Sequence, residues 1–430
     1  MVALIKKHYH WVIATLILLE LAVYSGILNN LNSLHLIPVT EGLGISRGSF
    51  SLSMSVNSLM SFFSTLFSGM FLMKHGYRKL APMALLTAAC GFLVLGFSRN
   101  SFMLTLGAAL IGISGGFCST SAASWMVNTW FRKHQGTILG LVTAATGLGG
   151  SLFSVVLSRV IQAGGWRWSY WLSGILVACV GLLLLLLSRN RPADLGLRPF
   201  GEGTGHGKKP KKENRDHWYG YEAKEIYRKP TFYLMILVVF LSCCCAYVAF
   251  SVVAAHLQDC GMSAQEAALV QSVMLLCLAG AKFVCGALSD WLGAKTINLL
   301  CMLCTVAGLV VFAEVGGMPM AFFGAVLYAI SLVLTTITIP LLSSALFGYH
   351  PQGSIIGIFM ALVPASSVII NPVVNSLYDR IGSYRPIFRG GAVLSLGVTG
   401  LMLLLFLLAG RDRKKYEKTH PAMPEQEETV

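Results

Sequence analysis

The chain has 430 residues, of which 55% are hydrophobic and only 12% charged, with a formal charge of +14 and a mean hydropathy of +0.69. A soluble globular domain carries about 25% charged residues, so this composition excludes one and points to a lipid solvent. The positive charge does not point to nucleic acid, because the bases sit in short segments between apolar runs, as a topology signal requires.

Apolar runs of roughly 20 residues, the length a helix needs to cross a hydrocarbon core, recur about twelve times. They fall near 11–36, 49–73, 80–98, 103–128, 137–160, 169–188, 232–257, 265–289, 296–313, 319–346, 354–375 and 387–409. A membrane barrel would write alternating polarity over about ten residues instead. The first run lacks a small-residue cleavage site and is read as a retained span. The expected fold is therefore an all-α membrane protein with twelve transmembrane helices in two six-helix halves.

With a cytoplasmic N-terminus, that side receives Lys6, Lys7, Lys74, Arg78, Lys79, Arg132, Lys133, Lys295, the linker and the tail from Arg411 to Lys418. The opposite side receives only Arg47, Arg99, Arg159, Arg167, Arg380, Arg385 and Arg389. Both termini are thus expected in the cytoplasm, in a multi-pass protein of the cell membrane. Most of the eleven cysteines lie inside spans, among them Cys243, Cys244 and Cys245. No disulfide framework is expected. Cys301 and Cys304 form a C-x-x-C without His or carboxylate company, so no metal or cofactor is expected.

The spans are interrupted once, by a basic, Gly- and Pro-bearing stretch with Lys208, Lys209, Lys211 and Lys212. This divides the chain into residues 1–188, the first six-helix half; 189–230, a cytoplasmic linker; 231–410, the second half; and 411–430, a cytoplasmic tail. Tyr221 to Tyr227 carries acids and bases beside aromatic residues, the composition of a short interfacial helix.

The two halves echo each other. After the second run comes Gly69-x3-Met73-Lys74-His75-Gly76-Tyr77-Arg78-Lys79, and after the eighth Gly286-x3-Asp290-Trp291-Leu292-Gly293-Ala294-Lys295. Both resemble the G-x3-D-[RK]-x-G-[RK] loop of the major facilitator superfamily. The resemblance implies a gate motif made of Gly69, Gly76, Arg78, Gly286, Asp290 and Gly293, with glycines for close helix approach and tight turns and charges for a latch. Met73 stands where the family has Asp.

Further stretches are similar to those of the oxalate/formate antiporters and monocarboxylate transporters. They are Ser46-Arg47 with Phe50-Ser51-Leu52, Trp130-Phe131 with Gly136 and Gly140, Gly165-Trp166-Arg167 with Tyr170, Pro192-x-Asp194-Leu195-Gly196-Leu197-x-Pro199-x-Gly201, and Tyr378-Asp379-x2-Gly382-Ser383-Tyr384. The resemblance spans the whole chain and implies a carrier of small carboxylates.

Only Glu20 and Lys282 lie well inside apolar runs, where a charge costs on the order of 3 kcal/mol on insertion scales. Each sits roughly 12 to 15 Å deep at 1.5 Å per residue, so the two can pair. Lys282 stands four residues before Gly286, where the resembled transporters carry an arginine that binds the substrate carboxylate. Lysine is a point charge without the guanidinium fork. The oxalate carriers also have a base in the eleventh span, absent here between Ile355 and Val374, which disfavours a dianion. Leu278 occupies the place of the acid found in proton-linked carriers, leaving Glu20 as the replacement proton site.

Tyr24, one turn from Glu20, and Gln271, three turns from Lys282, complete the expected cavity face. Tyr247, Tyr328 and Trp125 join them as substrate-binding candidates, and Asn57 and Asn371 serve either there or as interhelical glue. Gly136, Gly140, Gly147 and Gly150 fall near one face of the fifth run, and Gly112 with Gly116 forms G-x3-G, a packing signal. His35 and His256 are expected at outer helix ends, in solvent or at a gate. Pro340, Pro364 and Pro372 are expected to interrupt the tenth and eleventh spans.

No nucleophile and base set, phosphate-binding loop or metal cluster stands out, so an enzyme is not expected. The sequence favours a monomeric secondary active transporter of a small organic anion, working by proton coupling or by exchange. A proton-driven exporter of cationic or apolar drugs and a membrane solute sensor are the alternatives.

Overall fold

The computed structural model describes residues 9–131, 135–201, 223–336, 338–347 and 352–419. Among the described residues, eleven helices are long and apolar enough to cross a membrane, and one further apolar helix, Ser101–Gly115, is shorter. No strand is present among them; Phe131 and Phe200 form an isolated bridge.

In chain order the first three spans are Tyr9–Leu43, Arg47–His75 and Tyr77–Gly96. The fourth is Ser101–Gly115 continued by Thr120–Trp130, the fifth Gln135–Gly164 and the sixth Trp166–Leu187. The seventh is Pro230–Phe250 followed by the short helix Val253–Asp259, the eighth Ala264–Leu292 and the ninth Ala294–Ala313. The tenth is Met318–Thr335 with Thr338–Phe347, the eleventh Gln352–Ile381 and the twelfth Arg385–Thr419. Successive spans alternate in direction, so Tyr9 and Thr419 share one end of the bundle, the near end; the opposite is the far end.

Polar residues stop and start these helices where the apolar pattern ends. Ser46 and Asn100 cap the second and fourth spans by accepting from the N–H groups of Ser49 and Met103 at 3.1 and 3.0 Å. Ser263 and Glu266 close a reciprocal capping box on the eighth. The echoed motifs share one backbone geometry: Gly76 has φ 77° and ψ 155°, Gly293 φ 81° and ψ 151°. Each ends one span and begins the next, in a conformation that favours glycine. Asn190, after the sixth span, accepts from the Arg78 N–H at 2.8 Å, tying the first copy of the motif down. The side chains of Met73 and Asp290, and positions Gly69 and Gly286 beyond their helical backbone, lie outside the described residues.

The spans run longer than their apolar cores. Pro38 is accommodated inside the first, which continues to Leu43. Consequently His35 is not at a solvated end but buried, stacked on Tyr170 at 4.2 Å and hydrogen-bonded to Ser169 at 2.9 Å. His256 is buried likewise, 2.7 Å from the carbonyl of Phe312. The eleventh helix passes uninterrupted through Pro364 and Pro372, while the tenth breaks just before Thr338. After the sixth span the chain makes a 3-10 turn at Pro192–Leu195 and docks Phe200 by its N–H on the carbonyl of Trp130 at 2.9 Å. Residues 202–222 lie outside the described residues, and with them half of the expected linker, its four lysines Lys208, Lys209, Lys211 and Lys212 included; the short helix Ala223–Ile226 follows.

Spans one and five cross in backbone contact. A Cβ added at Gly149 would sit 1.9 Å from the carbonyl oxygen of Ala22, and one at Gly26 would sit 2.6 Å from the backbone of Gly149. At that crossing the first span opens into a π turn, Leu21–Ser25, a feature found frequently at functional sites. Of the glycines expected on one packing face of the fifth span, Gly147 and Gly150 instead meet Leu275 of the eighth, and Gly140 has open space around it.

Candidate functional site

Lipid-solvated helices gain nothing by burying polar side chains except where those line a cavity or find partners. Between the first six and the last six spans two adjoining compartments, of about 300 and 210 Å³, share Leu28, Asn29, Ser61, Tyr247, Phe250 and Pro364. The first reaches toward the near end, past Tyr24, Cys118, Thr146, Lys282 and Thr335. The second reaches toward the far end, past Asn32, Asn57, Ser367 and Asn371.

Lys282 is buried and lines the first compartment. Its ammonium donates to the Thr146 hydroxyl on the fifth span at 3.0 Å. Thr146 donates in turn to the carbonyl of Thr143 at 2.9 Å, so its hydroxyl is oriented to accept, and its own carbonyl accepts from Asn29 at 3.3 Å. An ammonium has three donors. The described ion pairs, Arg47 with Asp259 and Arg389 with Glu314, do not include it.

Glu20 is buried too but stands behind the cavity wall, where it accepts from the Tyr77 hydroxyl and lies beside the thiol of Cys118, which lines the first compartment. Glu20 and Lys282 therefore do not pair. Their matching depth was legible from residue counts; the direction each side chain takes around its helix depends on how the helices pack. Tyr24 lines the cavity and is hydrogen-bonded to Ser114 at 2.6 Å. It sits inside the π turn that follows Glu20; both side chains lie near Cys118, Tyr24 bonding to Ser114 and Glu20 to Tyr77.

The other expected residues divide. Tyr247 lines both compartments. Tyr328 does not line either; its hydroxyl donates toward the carbonyls of Cys245 and Ala246 at 3.1 and 2.8 Å, locking the seventh span to the tenth. Gln271 is fully buried away from the compartments and accepts from Ser33 at 3.5 Å. Trp125 is half-buried against the core of the first six spans. Missed from the sequence were Thr146, Asn29, Asn32 and Tyr77. The first three are uncharged residues whose role appears only when spans meet, whereas Tyr77 directly follows the motif glycine.

The far end of the cavity is clasped shut. Arg47 makes a two-pronged ion pair with Asp259 at 2.8 and 2.9 Å and lies 4.0 Å over the ring of Tyr378. The Gly48 N–H donates to Asp379 at 2.8 Å, and a Cβ there would come within 2.6 Å of that carboxylate. Deeper in, Ser367 donates to Ser58 at 2.7 Å, Ser151 and Ser272 share a bond of 2.7 Å, and Ser154 donates to the carbonyl of Ala268 at 2.7 Å. Thus the Ser46-Arg47 and Tyr378-Asp379 stretches, far apart in sequence, meet as one gate. In Arg47→Ala we expect amide hydrogen exchange in Val253–Asp259 and in the first turn of the second span to quicken roughly tenfold, the worth of a forked ion pair and a ring contact. Unchanged exchange in both segments would mean that the clasp does not hold this end.

Residues 14–363 match the family model described as Major Facilitator Superfamily. The chain is 26% identical over 161 residues to the uncharacterized MFS-type transporter YcxA of Bacillus subtilis (strain 168), covering 36% of this chain and 39% of that protein. It is 31% identical over 110 residues to the membrane sensor protein UhpC of Salmonella typhimurium, covering 26% of this chain and 25% of that protein. The chain thus spans well under half the length of these two relatives. The crystal structure of the nucleoside transporter NupG superposes with a TM-score of 0.72 at 12% identity, over 93% of this chain and 99% of that one, a likeness of fold alone.

Proposed function

The chain belongs to the Major Facilitator Superfamily, and from that premise we propose that it is a secondary active carrier of a small organic anion, a monocarboxylate, in the manner of the oxalate/formate and monocarboxylate group its motifs resemble. The first and last six spans alternate in exposing a central site to either side of the membrane. The observation that carries this reading is the Lys282 ammonium: buried, at the cavity surface, and, among the described residues, with a single hydroxyl acceptor for its three donors. Such a charge is costly in the empty protein and is relieved by a carboxylate. The absence of a base between Ile355 and Val374 supports a monoanion. A cation exporter needs an acid at the cavity surface, and Glu20 stands behind the wall.

Further parts of the proposal rest on the sequence. The near end, richer in Lys and Arg, is the cytoplasmic side of a cell membrane, and the carrier works as a monomer. The energising step is either exchange of one anion for another or proton symport, with Glu20 and Tyr77 as the proton site in the second case.

Uptake of labelled lactate and larger carboxylates into proteoliposomes, with and without a pH gradient, tests the reading. Carboxylate entry that saturates is the expected result, and stimulation by an inward proton gradient identifies symport. Saturable binding without any flux favours instead a solute sensor, the reading to which the similarity with UhpC lends support.

A further inference from the structure

The compartment beyond Lys282 holds more amide than an acid with a bare alkyl chain can use. Asn29, Asn32, Asn57 and Asn371 all line it, with Ser61 and Ser367 between them. Asn57 is 8% exposed and Asn371 5%, yet the side-chain nitrogen of Asn57 and the side-chain oxygens of Asn371 and Asn32 are buried without a hydrogen-bond partner. Buried polar groups are paired in the great majority of cases, and the residues that carry these unpaired atoms line one cavity from the first, second and eleventh spans.

They offer both donors and acceptors, which is what a row of hydroxyl groups matches, each hydroxyl being donor and acceptor at once. Their placement suits a chain anchored at the ammonium. Asn57 lies one helical turn beyond Ser61, the residue shared with the Lys282 compartment, and Asn371 seven residues beyond Pro364, so the amides extend roughly 6 to 10 Å along the bundle axis, the reach of about five or six carbons. Asn29 links the two compartments physically, since it lines both and donates to the same Thr146 that holds Lys282.

We infer that the asparagine compartment is a second binding subsite, for the hydroxyl groups of a polyhydroxylated carboxylate, so that the carried anion is of the sugar-acid class. The inference rests on the anion reading: Lys282 takes the carboxylate and the amides select the hydroxylated chain. An unbranched alkyl acid of equal length leaves Asn57 and Asn371 unpaired and is bound less well.

Gluconate, hexanoate and sorbitol test this on the purified full-length protein, with the ligand-dependent shift in thermal midpoint as the readout. Gluconate should bind about tenfold or more tightly than either of the other two, and Asn57→Leu or Asn371→Leu should weaken gluconate about tenfold while hexanoate, no longer stranding an amide, binds at least as tightly as before. Retained hexanoate binding reports that the variants are folded; if the leucine variants do not fold, Asn57→Ala and Asn371→Ser replace them. Hexanoate binding as tightly as gluconate, or gluconate binding unaltered in the asparagine variants, overturns the subsite and leaves the anion reading standing. Sorbitol binding equally to the native protein and to Lys282→Ala, with gluconate no tighter, instead overturns the anion reading. Binding of none of the three overturns both parts of the inference.

Discussion

Replacing Lys282 with alanine should abolish carboxylate uptake by the proposed carrier and weaken carboxylate binding by about a hundredfold, while raising the thermal midpoint of the empty protein. Truncating one partner of a buried, hydrogen-bonded charge pair typically costs about 2–5 kcal/mol of affinity. Here the partner is the substrate, so that loss appears as affinity. The empty protein behaves oppositely because it holds the ammonium buried with a single neutral partner, Thr146; removing an uncompensated charge from the membrane interior relieves a cost of about 3 kcal/mol on insertion scales. The two measurements, binding and melting, move apart. A purely structural lysine predicts that they fall together, and uptake that survives in the alanine variant removes Lys282 from the site. Lys282→Arg keeps the charge but enlarges the head group into a planar fork, so partial binding with altered selectivity is expected.

Gly149→Val, by contrast, should yield little folded carrier. The Cβ that valine brings would stand 1.9 Å from the carbonyl oxygen of Ala22 and 2.6 Å from its carbonyl carbon. Both are backbone atoms, which cannot rotate aside as a side chain would. The first and fifth spans must separate, and with them go the bonds Asn30 makes to the Gly150 carbonyl at 2.8 Å and Asn29 to the Thr146 carbonyl at 3.3 Å. Overpacking costs about 1–3 kcal/mol or more, and each lost bond about 1 kcal/mol. Size-exclusion chromatography and thermal melting check the outcome, with Gly140→Ala on the same helix as the comparison. Gly140 has nothing within 4 Å of an added Cβ, so its variant should elute and melt like the native protein. Equal behaviour of the two variants would contradict the close crossing.

The far-end clasp and the cavity belong to the same mechanical picture. Arg47, Gly48 and Asp379 join the start of the second span to the end of the eleventh, and the serines between the fifth and eighth spans zip the neighbouring seam. The cavity begins where these bonds stop. For the carrier proposed above, a site closed from the far end and lined by Lys282 further toward the near end is one stage of an alternating cycle, and the proposal requires the Arg47 clasp to release in the other.

Amino-acid order by itself determined that this is a helical membrane protein with about twelve spans, because continuous apolar runs of membrane length have one economical solution in lipid, where backbone groups must be satisfied internally. It also singled out Glu20 and Lys282, since a charge inside such a run is conspicuous, and it marked the turns at Gly76 and Gly293, whose positive φ favours glycine. Tertiary structure alone decided which buried charge faces the cavity. Depth follows from counting residues at a fixed rise, but azimuth is set by neighbouring helices, by the Gly26 and Gly149 crossing, and by the π turn at Leu21–Ser25 that follows Glu20. The Arg47 clasp was beyond reach for the same reason, its members coming from spans hundreds of residues apart, and the asparagine compartment was reached only in part: Asn57 and Asn371 stood out as candidates, but an uncharged amide in an apolar run looks the same whether it ties two helices together or awaits a ligand, and Asn29 and Asn32 did not stand out.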